Sequence, residues 1–323
     1  MVHIGWYVAL DMMHVYKNPS WIDCRLLHEN TLDDIPQSLF EEINIGLTAI
    51  QRDHPIVSVV IPALNEEVSI LRTLHSLSLN KTTYAAEIIV VNNNSSDRTQ
   101  EVLNRLNVKS YTQTKPGWGP ARQLGQEKAQ GMYILMADAD GFYPPKWIEE
   151  MTNELLKEGV TCVYGGYSFL GIPDMPRWKL FVYESLRDII SEFRHIKRPW
   201  LNAGGISMGY VKELGLKKGF VDRNIRGEDG RMCFELMQFG RIVRLRSSAV
   251  IVWTFPRTLQ KDGNLMYSVL NRAIIEFSRF KSYFLKQPVH DTHTSQNSTP
   301  PILKYFKRYK EPDKEKEPDE VNT

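Results

Sequence analysis

Four short apolar runs recur through the first half of the chain: Val57 to Ile61, Glu87 to Val91, Val108 to Tyr111 and Met132 to Ala137. Each gives way to a polar turn. Between them lie segments of a different period. Val68, Leu71, Leu74 and Leu77 follow the first run at helical spacing. Asp97 is placed to cap a helix running to about Leu106, and the loop Lys115 to Pro120 leads into a helix from Ala121 to Gln130. Strands separated by helices pair in parallel, so the pattern predicts an α/β fold with ligands outside the carboxyl ends of the strands.

Beyond residue 150 the alternation loosens. The pattern predicts a helix from about Lys146 to Lys157, a strand near Thr161 to Tyr164, a long segment around Trp178 to Phe193, then Gly204-Gly205 and a strand through Met208. A last strand is expected from Val250 to Trp253. Residues 1–54 read as an extension, a short strand and helix packed on a main domain that spans 55–257. Residues 258–290 read as a helical segment and 291–323 as a charged, disordered tail.

Composition narrows the function. Among 323 residues the formal charge is only +2, without the long basic stripe that nucleic acid demands, so no nucleic-acid partner is expected. The three cysteines, Cys24, Cys162 and Cys233, are scattered and odd in number, which fits a reducing cytoplasm rather than a disulfide framework. Met1 to Tyr16 lacks the basic leader and cleavage site of a signal peptide, and no apolar run approaches the roughly 20 residues needed to cross a bilayer. Aromatic and basic residues interleave in Phe277 to Leu285 and Ile302 to Lys310. That texture suits either peripheral contact with the inner face of a membrane or a helix packed on the domain.

The polar turns carry the candidate chemistry. Asp138 and Asp140 follow the fourth strand directly, where residues two apart can converge on a hard divalent ion; capping of the helix after Pro145 is the alternative. Glu66 closes the turn after the first strand, as a ligand carboxylate or a first-turn partner of the helix dipole. Asn92 to Asn94 suit a turn that needs left-handed backbone. Arg122 opens the helix after the Gly-Pro loop, free either to grip an anion or to sit in solvent. Glu228 and Asp229 open another helix, as dipole partners or as reacting acids.

Together, Val57-Ser-Val-Val-Ile-Pro-Ala-Leu-Asn-Glu-Glu67, Glu87 to Thr99, Gly119-Pro-Ala-Arg-Gln-Leu-Gly125, the Asp138 pair and Arg226-Gly-Glu-Asp229 resemble family 2 glycosyltransferases of the GT-A fold, in order and spacing across about residues 55–257. The resemblance implies a Rossmann-like three-layer α/β/α domain with a central, mostly parallel mixed sheet. It implies a nucleoside diphosphate sugar donor, UDP-linked, with Mn2+ or Mg2+ as cofactor and inversion at the anomeric carbon. Pro62, Leu64 and Glu66 would border base and ribose, Asn93 would stand where the family commonly has an Asp facing the base, and Arg122 would stack on or fork to the nucleotide. Asp138 would contact ribose or metal-bound water, and Asp140 would ligate the metal. Asp229 would be the base and Glu228 its neighbour on the acceptor, a glycan or lipid-linked hydroxyl. Where many such enzymes place a metal-binding histidine after the last strand, this chain has Arg257, either on phosphate charge or in solvent. The rival readings are a nucleotide-sugar-binding module without turnover and a sugar nucleotidyltransferase.

Overall fold

The computed structural model describes residues 16–27, 31–222 and 227–261. Arg226, the two aromatic and basic segments, the tail and most of the expected 258–290 helix lie outside the described residues.

The first strand, Val57–Ala63 (β1), is buried on both faces, as expected of a strand in the middle of a parallel sheet. It pairs in parallel with Ala86–Asn92 (β2) and Tyr133–Met136 (β4), and β2 pairs in parallel with Lys109–Thr112 (β3). On the other side of β4 lies Met208–Val211 (β8), antiparallel, with Ile134 opposite Tyr210. Val160–Tyr164 (β6) and Arg241–Arg244 (β9) complete the sheet in the order β3-β2-β1-β4-β8-β6-β9. The sheet is therefore mostly parallel with one reversed strand.

Alternate side chains of β1 feed two cores, which gives the three layers. Val57, Val59 and Ile61 pack with the helices Gln37–Ile50 (α1), Ser69–Ser78 (α2), Thr99–Asn104 (α3) and Trp147–Leu155 (α5). Val60 points the other way, against Trp118–Lys128 (α4) and Glu228–Leu236 (α8). Close approach of α4 depends on Gly125, where a Cβ would lie 2.3 Å from Val60 Cγ1. Between α5 and α8 come Arg177–Lys197 (α6) and Lys212–Lys218 (α7). A second sheet orders Gly141–Phe142 (β5), Val252–Thr254 (β10) and Tyr167–Phe169 (β7), and carries the chain into Arg257–Lys261 (α9).

Some boundaries differ from expectation, each for a local reason. Helix α4 starts at Trp118 rather than Ala121, because Pro120 falls in the first turn, where its missing N–H costs nothing. The strand expected through Met208 begins there instead, after a 3-10 turn at Gly205–Ser207. The last strand starts at Val252, since Ser247 caps a 3-10 turn over Ser248–Val250. In the extension, the described residues hold α1 and 3-10 turns but no strand beyond the single bridge Gln51–Ala86. Along α6, Trp178, Val182, Leu186, Ile189, Phe193 and Ile196 stay exposed at spacings of three and four, so one apolar stripe of that helix faces outward.

Candidate active site

The turns after β1 and β2 are bolted to each other. Asn65 and Asn94 adopt left-handed backbone at φ 54° and 59°, which asparagine tolerates better than most residues. Asn65 N–H donates to Ser95 Oγ at 3.0 Å, and Asn65 Oδ1 accepts from Ser96 N at 2.8 Å. Glu66 N–H donates to Thr99 Oγ1 at 2.9 Å and Glu67 N–H to Asp97 Oδ2 at 3.1 Å. Two adjacent loops thus hold one shape. Pro62 is buried at the end of β1, Leu64 is exposed, and Asn93 is buried with its N–H on Ala63 O at 2.8 Å. Asn93 Oδ1 is buried without a hydrogen-bond partner, an acceptor that an incoming N–H would satisfy.

Beside these loops a guanidinium gathers three carboxylates, one from the turn after β4 and two from α8. Arg122, on α4, bonds Glu228 Oε1 through Nη1, lies 3.3 Å from Asp138 Oδ1 through Nη2 and 3.9 Å from Asp229 Oδ2. Its side chain is only 6% exposed, enclosed by the acids it pairs with. Burial opposes its charge, but Glu228, Asp229 and Asp138 keep its pKa raised. Gly205 makes room for it, since a Cβ there would lie 1.8 Å from Arg122 Nη2.

Backbone amides and a tyrosine position the acids. Asp229 Oδ2 accepts from Gly205 N and Oδ1 from Gly230 N, both at 2.7 Å. Asp138 N–H donates to Tyr143 Oη at 2.7 Å, and that hydroxyl donates to Ile206 O at 3.0 Å. Burial pushes the Asp138 carboxyl up to about 7; Arg122 opposes the rise, and Asp140, Asp229 and Glu228 add to it. Burial also raises Glu228 against the pull of Arg122, with Asp229 adding to the rise.

Asp140 sits one step further out. Its Oδ2 pairs with Arg257 Nη2 at 2.7 Å, and Arg257 also lies 3.3 Å from Glu66 Oε2. Thr254 Oγ1 donates to the Asp140 carbonyl at 3.2 Å. Burial raises Glu66, with Arg257 opposing. The second sheet creates this contact by pairing Thr254 with Gly141. Five carboxylates therefore meet two guanidiniums at the ends of the parallel strands, and such an acidic oxygen-rich rim fits a hard divalent cation.

The structure brings together Glu66, Asp138, Asp140, Glu228, Asp229 and Arg122, with Asn93, Leu64 and Pro62 on the neighbouring turns. The helix-capping alternative for the Asp138 pair fails, because Lys146 stands at the N-cap of α5. Arg257 is not loose in solvent; it pairs with Asp140 and Glu66. Sequence reasoning gave no role to Tyr143, Gly205 or Thr254. Tyr143 follows the Asp pair in Gly-Phe-Tyr and Gly205 belongs to a noticeable Gly-Gly pair, but only folding shows what each touches.

Residues 58–206 match the family model described as glycosyl transferase family 2. These residues belong to glycosyl transferase family 2. Among family relatives, a probable glycosyltransferase of Bacillus subtilis, YdaM, is 40% identical over 268 residues, 71% of this chain and 60% of the relative. The hyaluronan synthase of Pasteurella multocida is 35% identical over 146 residues, 42% of this chain and 15% of the relative. The chain thus spans under two thirds of either relative's length. The fold is that of a mannosyltransferase from Pyrobaculum calidifontis solved with GDP-Man and Mn2+, at a TM-score of 0.50 and 15% identity, covering 78% of this chain and 74% of that one. The family 2 match stops at residue 206, short of Glu228 and Asp229, which the fold returns to the same rim.

Proposed function

We propose that the chain is a metal-dependent, inverting glycosyltransferase that moves a sugar from a nucleoside diphosphate sugar to an acceptor hydroxyl, in the synthesis of a cell-surface polysaccharide or glycolipid. The observation that supports this most is the convergence of Asp138 and Asp229 on Arg122, with Asp140 next to them on Arg257, at the carboxyl ends of the parallel strands. In this reading Pro62, Leu64 and Glu66 border base and ribose of a uridine donor, and the unpaired Asn93 Oδ1 accepts an N–H of the base. Asp138 meets the ribose. Asp140, with Asp138, would hold Mn2+ or Mg2+, which when bound would supply positive charge to offset that of the departing diphosphate.

The remaining groups act on the acceptor. Asp229, aimed by the Gly205 and Gly230 amides, takes the proton from the attacking hydroxyl as general base. Glu228, buried on Arg122, positions that base and borders the acceptor. Arg257 shares phosphate charge once the donor is bound. A glycan or lipid-linked acceptor suits a family with a polysaccharide synthase among its members. Among the described residues no helix is long and apolar enough to cross a membrane. The outward stripe of α6, flanked by Lys179, Arg194 and Lys197, suits peripheral contact with an anionic lipid surface.

The test is release of nucleoside diphosphate from a panel of nucleotide sugars with Mn2+, with Mg2+ and with chelator. Metal-dependent release that Asp140→Asn abolishes is expected. Tight binding without turnover for any donor and acceptor would favour the binding module, and release of pyrophosphate would favour the nucleotidyltransferase.

A further inference from the structure

Away from the acidic rim, side chains from three elements meet where the extension packs on the domain. Asp23 caps the 3-10 turn Cys24–Leu26, Glu42 lies on α1, and His75 lies six residues into α2. That is roughly 9 Å along the helix from its first residue. His75 is 3% exposed, and its Nε2 is buried without a hydrogen-bond partner among the described residues. Its nearest acceptors are Glu42 Oε1 at 3.6 Å and Asp23 Oδ2 at 3.8 Å, beyond hydrogen-bond reach.

All three ligand atoms lie within 4.8 Å of one another. A tetrahedral cation at 2.0–2.2 Å from each would space them about 3.3–3.6 Å apart, so a small closure suffices. Arg25 grips both carboxylates from the solvent side: its Nε and Nη2 donate to Asp23 Oδ2, at 2.8 and 2.5 Å, and Nη2 also reaches Glu42 Oε2 at 3.0 Å and Oε1 at 3.4 Å, so a cation would share Asp23 Oδ2 with the guanidinium. Glu42 Oε1 is left turned toward the imidazole. Carboxylates that ligate metals usually accept further hydrogen bonds as well. One guanidinium against two carboxylates leaves a negative charge beside the buried ring. Burial keeps the His75 imidazole below its ordinary pKa, against the pull of Asp23 and Glu42, so it is a neutral donor at pH 7.

We propose that Asp23, Glu42 and His75 form a structural site for a divalent transition-metal cation of the Zn2+ type, which clamps the N-terminal extension to α2. One imidazole with two carboxylates suits Zn2+ better than Mg2+ or Ca2+, which favour all-oxygen shells. The site is separate from the acidic rim, and it stands whether or not the proposed transferase reading does.

The full-length chain, stripped with chelator, is titrated with Zn2+ in the Asp140→Asn background, which silences the rim. One Zn2+ per chain is expected, together with a rise in melting temperature of about 5 °C or more at a hundredfold excess over Kd. Glu42→Gln, at a half-exposed helix position that leaves the fold intact, is expected to weaken binding at least about tenfold. His75→Asn should remove it, along with the visible absorption of the Co2+ form. Zn2+ binding that survives both substitutions, or that Cys24→Ser abolishes while Glu42→Gln does not, overturns the proposal, as does a wild type that takes up no Zn2+.

Discussion

From β3 to β4 every strand runs parallel, every crossover is a helix, and the turns at the carboxyl ends are stitched by short polar side chains: Asn65 to Ser95 and Ser96, Thr99 to Glu66, Asp97 to Glu67. Beyond β4 one strand reverses, 3-10 turns interrupt, and Arg122 with the acids around it fastens the pieces. The difference lies in what each half can lose. Neutral hydrogen bonds in the first half contribute about 1 kcal/mol each and fail singly. A buried guanidinium shared among carboxylates fails as a unit, because removing one partner leaves the others charged and dry.

Four measurements put that contrast to the test. The largest effect is expected at Asp229: Asp229→Asn should lower the transfer rate about 10²- to 10⁴-fold while donor affinity holds, measured as nucleoside diphosphate release against donor titration. Next comes Gly205→Ala, which drives a methyl into Arg122 and should cost about 2–4 kcal/mol in denaturant unfolding, with loss of turnover. A variant as stable as the wild type would show that the second half is looser than its geometry implies.

Smaller is the pH effect at Asp138. Its folded pKa of about 7 lies above the ordinary 3.8, so between those values the native state holds more protons than the unfolded chain. Stability is greatest below pH 4 on this account and declines as pH climbs to 7. Asp138→Asn should flatten that decline, its melting temperature gaining a few degrees on the wild type between pH 5 and pH 8. A gap that does not change with pH would mean the carboxyl titrates normally. The smallest effect belongs to the first half, where Asn65→Ala loses the Ser96 bond and puts alanine on left-handed backbone, which should cost about 1–2 kcal/mol and raise donor KM with kcat little changed.

The same contrast explains what was legible in the sequence. Buried parallel strands read as continuous apolar runs, so Val57–Ala63 and Ala86–Asn92 were visible, and with them the turns bearing Glu66, Asn93 and Asp138. Leu71, Leu74 and Leu77 marked α2 because helix period survives in any amphipathic face. The second half carries information that a single sequence hides. Arg122 pairs across 106 residues with Glu228, Gly205 matters through a side chain 83 positions earlier, and Arg257 meets Glu66 across 191. No local period encodes such contacts. The 3-10 turns that displaced two strand boundaries are likewise set by capping at Ser247 and by packing near Gly205.

Helix α1 bears on where this molecule can be cut. Phe40, Ile43 and Leu47 are fully sequestered against α2, and Gly46 lets the two helices approach so closely that a methyl there would sit 2.5 Å from Ser78 O. The smallest fragment able to stand alone must therefore begin upstream of the segment that defines the family, and it must also run past residue 206 to keep the acids of α8. Trimming to the family boundaries would strip a layer of greasy surface bare and discard the proposed base.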